Sequence, residues 1–196
     1  STTFTVGNSK NLQQYFIGSQ ENTIQQTQVD FNHKFADFWL LDLMVKQSEN
    51  NLTTENFNSR NYEIIAKEIQ PKISFSYHNN HRFSAFYHFK NKVNNLQDFE
   101  SLNQQKFGLD YFHISKNKNQ ISLNTTVFLN DFTGNVNTPV AYQMLEGLQP
   151  GKNYTWNLLY SQKLNAFLNL NISYLGRKSE NSKTIHTGSI QLKALF

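Results

Sequence analysis

The sequence predicts an all-β protein, an antiparallel transmembrane β-barrel of about ten strands. Three observations predict it. Apolar and polar residues alternate along most of the chain, short and long connections alternate between the alternating segments, and aromatic residues cluster towards segment ends. Alternation means that successive side chains point to opposite faces of a strand, one apolar and one polar.

The composition agrees with strands and excludes several other classes. The 196 residues have a mean hydropathy of −0.60 and only 16% charged residues, because 27 Asn and 16 Gln supply the polarity. The 17 Phe, 9 Tyr and 2 Trp argue against disorder. No apolar run is long enough for a transmembrane helix, and the absence of Cys excludes disulfides and thiolate chemistry.

The strands follow from the alternation, as in Ile73, Phe75 and Tyr77, or Leu168, Leu170 and Ile172. Ten is an even number, which predicts that both ends of the barrel sequence face the periplasm. The predicted strands lie near 2–7, 22–33, 36–47, 70–79, 82–92, 104–115, 119–131, 152–163, 167–178 and 184–196.

Three regions complicate this count. Residues 62–69 also alternate and run into Pro71, so we expect a strand extension above the membrane with a bend at the proline. Residues 11–20 fit either a loop or a further strand. Residues 35–45 are apolar on both faces, which predicts packing against a plug or membership of a larger barrel.

The connections distinguish a barrel from a soluble sandwich. Short turns are expected at 33–34, 79–80, 116–119 and 164–166, and longer polar connections at 48–60, 91–104, 131–152 and 178–183. Transmembrane barrels alternate in this way, with short turns in the periplasm and longer loops outside. A soluble extracellular sandwich remains an alternative, since its strands alternate too.

Six aromatic residues on the apolar face are predicted to lie at the lipid interface, where barrels carry girdles of aromatic side chains. Ordinary cross-strand packing of aromatic residues is the alternative explanation for each of them. The six residues are Tyr77, Phe83, Tyr154, Trp156, Tyr160 and Tyr174.

The C-terminal segment carries the strongest local signal. Gly188, Ile190, Leu192, Ala194 and Phe196 alternate up to a terminal Phe, which resembles the strand by which outer-membrane barrels are recognised for insertion. The residues at 153–156, 176–178 and 185–188 make the last 45 or so positions similar to the last three strands of Bacteroidota, flavobacterial-type, outer-membrane proteins.

That resemblance implies a fold and a location but no catalytic residues. It implies the C-terminal β-barrel region of a longer protein, so we expect residues 1–196 to be one barrel domain and a fragment of a longer chain. It also implies a bacterial outer-membrane location.

The sequence predicts no catalytic, metal or cofactor site. The histidines near tight turns, His33, His78 and His81, are expected to be solvated. Ser84 and His88 share one strand face but lie about 13 Å apart at four residues' separation.

An outer-membrane hydrolase is the enzymatic alternative. Its site would lie at the extracellular rim, with His186 near Glu180 or Asp131.

The function expected from the sequence is therefore non-enzymatic: a membrane anchor or subunit for transport, secretion or envelope assembly. The expected partners are outer-membrane lipid, the barrel-assembly machinery during insertion, and protein partners or a plug segment, with no nucleic acid. The inner face is expected to be mildly basic, with its cations paired to carboxylates of neighbouring strands or of a plug. These inner-face cations are Lys72, Arg82, Lys90, Lys163 and Lys193.

Overall fold

A computed structural model describes residues 1–15, 18–78, 80–96, 99–115 and 119–194, and confirms the all-β prediction with ten antiparallel strands. The strands form one sheet in which each pairs with its neighbours in sequence. Their bounds are Thr2–Tyr15 (β1), Gly18–Ala36 (β2), Trp39–Thr54 (β3), Tyr62–Tyr77 (β4), His81–Asn94 (β5), Ser101–Ile114 (β6), Gln120–Thr133 (β7), Gly151–Lys163 (β8), Leu168–Ser179 (β9) and Ile185–Ala194 (β10).

The longest connections lie at one end of the sheet, as the sequence predicts, but the short connection from β1 to β2 lies at that end too. At the other end, here called the tight-turn end, short connections join β2 to β3, β4 to β5, β6 to β7 and β8 to β9. At the opposite, long-loop end lie residues 55–61, 95–96, 99–100, 134–150 and 180–184, and β1 also meets β2 there, with Tyr15 paired to Gly18. The start of β1 and the end of β10 both lie at the tight-turn end, beside Phe31 and Leu168 respectively.

Several strands are longer than predicted. The prediction of a turn at His33-Lys34 is wrong, because both residues lie within β2. β2 continues through a register shift to Ala36, and Phe35 stacks on Trp39 across the new turn with ring centroids 6.1 Å apart. At the long-loop end β3 extends into the connection expected at 48–60, and β1 extends into residues 11–20, for which the sequence leaves a loop and a strand equally open. Residues 11–20 thus belong mostly to β1 and β2.

Residues 62–69 belong to β4, as expected for a strand extension. Pro71 pairs with Leu43 of β3, and the β4–β5 pairing is interrupted between Ile69 and Lys72 without a change of register. This fits the missing amide hydrogen of proline, which cannot donate to a neighbouring strand.

The inner face of the sheet is polar and is the face on which residues 134–150 pack. Across it, Ser74 Oγ lies 2.9 Å from Ser84 Oγ, and Lys72 of β4 pairs with Asp110 of β6 at 3.0 Å. Lys72 and Lys90 thus pair with carboxylates as the sequence predicts. Among the described residues, Arg82 lies over the Phe112 ring instead, and neither Lys163 nor Lys193 forms an ion pair.

The outer face carries a continuous apolar belt across the sheet. On β5 the belt runs from His81 to Phe89; at about 3.3 Å per residue and a tilt of about 40° this covers roughly 20–25 Å. Towards the long-loop end the same face becomes polar at Gln47, Lys67, Asn91, Asn103, Asp131, Lys152 and Lys178. The belt includes Val29, Phe31, Leu41, Val45, Ile73, Phe75, Phe83, Phe107, Leu109, Leu123, Ile190 and Leu192.

The sheet is curved, but its edges are not joined. The 3-10 turn Asn58–Arg60 after β3 contacts the helix Pro139–Met144 (α1) before β8, although four strands lie between them. Within the described ranges no backbone pairing joins β1 to β10, and β10 is exposed along its length. Neither helical segment described has the length and hydropathy needed to cross a membrane.

Candidate functional site

Three lysines converge on the inner face near the long-loop end. Lys90 and Lys92 alternate on β5, and Lys106 joins them from β6, where it pairs with His88. Alternate residues of a strand point to the same side, so β-structure alone brings these ammonium groups together. All three side chains are largely buried, with 11%, 10% and 14% exposure.

The β7–β8 loop, residues 134–150, folds inwards over these lysines instead of extending outwards. α1 begins with Pro139 and is capped by Thr138, whose Oγ1 accepts a hydrogen bond from the Ala141 amide at 3.0 Å. A Thr cap followed by Pro is a typical helix start. The sequence interpretation of this segment as an extracellular loop missed its inward packing.

An apolar cluster holds the loop in place. Val140, Met144 and Leu145 of the loop are buried against residues of β3, β4 and β6. Met144 is fully buried. The wall of this cluster consists of Leu52, Tyr62, Ile64 and Leu102, with Phe132 packed beside it.

Glu146 connects the loop to the lysines. Its Oε1 lies 2.8 Å from Lys90 Nζ and 2.9 Å from Lys92 Nζ, and its Oε2 lies 3.4 Å from Lys106 Nζ. Lys92 Nζ also donates to the Met144 carbonyl at 2.8 Å. One carboxylate is therefore shared by three cations.

The backbone around Glu146 is unusual. Glu146 has φ 56° and Gly147 has φ 75°, the left-handed region that residues other than glycine rarely adopt. The return to β8 is fixed by the buried Asn153, whose Nδ2 donates to the Gln149 carbonyl at 2.7 Å. The turn thus directs Glu146 at the lysines.

The electrostatics of the loop follow from this arrangement. Burial by itself raises the pKa of the Glu146 carboxyl, but the ammonium groups of Lys92, Lys106 and Lys90 outweigh burial and hold that pKa well below its usual range. Glu146 is consequently ionised at neutral pH.

A second carboxylate extends the network. Glu68 Oε2 lies 2.9 Å from His88 Nε2 and 3.3 Å from Lys90 Nζ. Lys90 therefore bridges Glu68 and Glu146. Among the described residues, no group of three or more carboxylates, histidines or cysteines has a geometry that suits a metal ion.

The six aromatic residues predicted at the interface lie on the outer face and fall at both ends of the belt. At the tight-turn end Phe83 packs on Tyr111 with ring centroids 4.8 Å apart, and Tyr77 lies near His81. Tyr160, opposite Ile121, also lies towards that end. Towards the long-loop end lie Tyr154, Trp156 and Tyr174. Contact of the six with lipid stays a prediction.

The predicted insertion signal lies on β10. Gly188, Ile190, Leu192 and Ala194 share its outer face, and Ile190 and Leu192 are 75% and 59% exposed. Phe196 lies outside the described residues. Recognition of this strand by an insertion machinery stays a prediction.

The groups considered for hydrolysis are engaged elsewhere. Ser84 bonds to Ser74, and His88 bonds to Glu68. His186 Nδ1 lies 2.8 Å from Tyr174 Oη, while the Glu180 carboxylate accepts from the Lys152 amide at 3.1 Å. His81 is stacked on His113 at 4.2 Å, so it belongs to the aromatic cluster of the tight-turn end.

Sequence reasoning singled out Lys90 but missed Lys92, Lys106 and Glu146 as one cluster. Two signals pointed to it. Leu52, Ile64 and Leu102 are apolar residues at the long-loop end of a mainly polar inner face, and Val140 and Met144 are spaced four apart, as on one helix face.

The comparisons with known proteins are limited. No family model and no curated protein matches the chain. Among solved structures it is similar to the translocator domain of the autotransporter NalP from Neisseria meningitidis, with 10% identity, TM-score 0.46, and 97% of this chain and 72% of that chain covered. It is also similar to the β domain of the Bordetella autotransporter BrkA, with 8% identity, TM-score 0.38, and 100% and 91% covered.

Proposed function

We propose that this chain forms part of an integral outer-membrane β-barrel that serves as a membrane anchor or subunit in transport, secretion or envelope assembly. The observation that carries the proposal is the apolar belt on the outer face, combined with the polar inner face. In transmembrane barrels the outward apolar band is about 25 Å tall, close to the height of the belt on β5.

The belt argues against the soluble sandwich. A sandwich buries its apolar faces between two sheets, with polar faces in water. Here the described strands make one sheet, and large apolar side chains such as Leu109 are 64% exposed on its outer face. Hydrocarbon is the environment in which such a surface is stable.

Orientation follows from the loops. We place the tight-turn end in the periplasm and the long-loop end outside the cell, because barrels have short periplasmic turns and longer extracellular loops. Both the start of β1 and the end of β10 would then be periplasmic. The β7–β8 loop would close the extracellular side of the lumen.

Partners follow from the same surfaces. Outer-membrane lipid covers the belt, the barrel-assembly machinery recognises β10 during insertion, and protein partners bind the loops. A Bacteroidota origin fits the Asn-rich and Lys-rich strands near the C-terminal segment. We propose no catalytic activity, since Ser84 and His88 bond to Ser74 and Glu68, and His186 bonds to Tyr174 rather than to Glu180 or Asp131.

Insertion into lipid vesicles tests the proposal. The refolded chain should float with vesicles on a density gradient and should migrate differently on a gel when it has not been boiled. A chain that stays with the soluble fraction and shows unchanged migration would count against the membrane assignment and favour a soluble fold.

A further inference from the structure

The Glu146 carboxylate is surrounded by ammonium groups in the way that a free carboxylate is surrounded in an anion-binding site. Three ammonium groups from two strands lie 2.8, 2.9 and 3.4 Å from its two oxygens. The strands fix the positions of these lysines, whereas the carboxylate arrives on a loop. The site therefore belongs to the wall of the sheet and its present occupant to the loop.

We propose that Lys90, Lys92 and Lys106 form an anion-binding site on the inner face, which Glu146 fills as a tethered ligand, so that a free anion bearing a carboxylate or phosphate competes with the β7–β8 loop for it. The proposal rests on the proposed barrel, whose lumen the three lysines line. The loop then acts as a plug that an anionic ligand loosens.

Charge balance supports a site that requires an anion. Glu68 pairs with His88 and Lys90 and attracts Lys106 only from a longer distance, so without Glu146 the described residues leave Lys92 and Lys106 with no carboxylate in ion-pair contact. Lys92 would keep the Met144 carbonyl, and Lys106 would keep the Phe128 ring at 5.4 Å. Buried cations without a counter-charge are costly, so an anion that takes the place of Glu146 makes its departure more favourable.

The exposure of Glu146 and the strain in its backbone both support exchange of its carboxylate for a free anion. The Glu146 side chain is 37% exposed, so solvent and small anions reach its carboxylate without prior unfolding of the loop. Its φ of 56° is unfavourable for a residue other than glycine. Contacts with the lysines offset that strain, and their loss favours release of the turn.

A role limited to holding the β7–β8 loop on the sheet explains the three buried lysines less well. Burying three lysines costs desolvation energy, and apolar residues of similar size hold packed elements at least as well. The loop already has such residues in Val140, Met144 and Leu145. The extra cations are explained if the site must release Glu146 and accept a different anion.

The test measures exposure of the loop in detergent-solubilised protein. The chain has no native Cys, so Ala141→Cys, at a fully buried position of α1, reports loop opening through its rate of maleimide labelling. Asn103→Cys, exposed on the outer face of β6, is the matched control for reagent and folding. The probes are inorganic phosphate and succinate, compared with chloride at equal ionic strength.

We expect phosphate or succinate to accelerate labelling of Ala141→Cys by about fivefold or more over chloride, with Asn103→Cys unchanged. Adding Glu146→Gln should raise the rate about tenfold without added anion, the size expected from losing charge-assisted hydrogen bonds. Lys92→Met with Lys106→Met should abolish the response to phosphate and succinate.

Equal rates in chloride, phosphate and succinate would overturn the proposal, as would a response that survives the double lysine substitution. Because the assay needs no bilayer, such a result leaves vesicle insertion untouched. Conversely, failure to insert into vesicles would refute the barrel assignment, whatever the labelling rates show.

Discussion

At the scale of single residues, two glycines on the outer face make a matched pair. A Cβ on Gly176 of β9 would overlap the Trp156 ring, whereas a Cβ on Gly188 of β10 would have only the Ser173 carbonyl nearby, at 3.8 Å. Trp156 thus covers Gly176 and lies beside His186 at 5.9 Å. A rigid indole cannot yield by bending, so its packing depends on the missing side chain.

We therefore expect Gly176→Ala to lower the free energy of unfolding by about 1–3 kcal/mol through overpacking. Gly188→Ala should change it by less than about 0.5 kcal/mol. Urea titration followed by tryptophan fluorescence checks both values, with Trp39→Phe to isolate Trp156. Equal effects at the two glycines would show that Trp156 does not pack on Gly176 in solution.

The depressed pKa of Glu146 predicts that docking of the β7–β8 loop depends on pH. Its pKa is depressed in the folded chain and lies at about 4.3 when unfolded, so its stabilising contribution is complete above the unfolded value. That contribution is lost as pH falls below about 4 towards the folded pKa. The labelling rate of Ala141→Cys, divided at each pH by that of Asn103→Cys so that the falling thiolate fraction cancels, should therefore change more between pH 7 and pH 3 when Glu146 is present than when Glu146→Gln is added. Identical pH profiles for both chains would contradict the assignment.

At the scale of elements, α1 has one face on the sheet and one in solvent. Met144 is fully buried, and Tyr142, two positions earlier, is 70% exposed. We expect Met144→Ala to weaken docking of the loop by about 2–5 kcal/mol, because it leaves a cavity. Protease cleavage within residues 134–150 should then become faster.

Tyr142→Ala is the control on the same helix. It should leave the cleavage rate unchanged, because its ring lies outside the apolar cluster. If Met144→Ala were cleaved no faster than Tyr142→Ala, the loop would not be held by this cluster.

Elements also show where sequence reasoning succeeds. The alternation predicts ten strands and their faces, because lipid-facing and lumen-facing sides impose opposite polarity on successive residues. It fails at strand ends beyond the belt. There both faces are polar, as at Gln47 and Ser48 of β3, so the period disappears although the backbone pairing continues.

The candidate site was only partly predictable for a related reason. Lys90 was placed on the inner face because its strand alternates clearly. The partner Glu146 lies 56 residues away in a polar loop, and nothing in its local pattern indicates which face of the sheet it reaches. The β7–β8 loop packs at the opposite end of β3 and does not cover residues 35–45, where Leu40 stays 37% exposed; membership of a larger barrel, the other explanation for this apolar segment, stays a prediction.

At the scale of the whole molecule, the belt predicts how deep each tryptophan lies in a bilayer. Trp39 begins β3 at the tight-turn end, and Trp156 lies on β8 towards the long-loop end. Leu109 lies between these levels on the outer face of β6. Interfacial tryptophans lie near the lipid headgroups, and the centre of the belt lies in hydrocarbon.

Quenching by brominated lipids measures these depths. Trp39 and Trp156, each studied with the other changed to Phe, should be quenched most by lipids brominated near the headgroup. Leu109→Trp in a chain lacking both native tryptophans should be quenched most by lipids brominated deep in the acyl chain. Asn103→Trp, on the same face of β6 but beyond the belt, should be quenched least. Weak quenching of Leu109→Trp at every depth would mean that protein, and not lipid, covers the outer face.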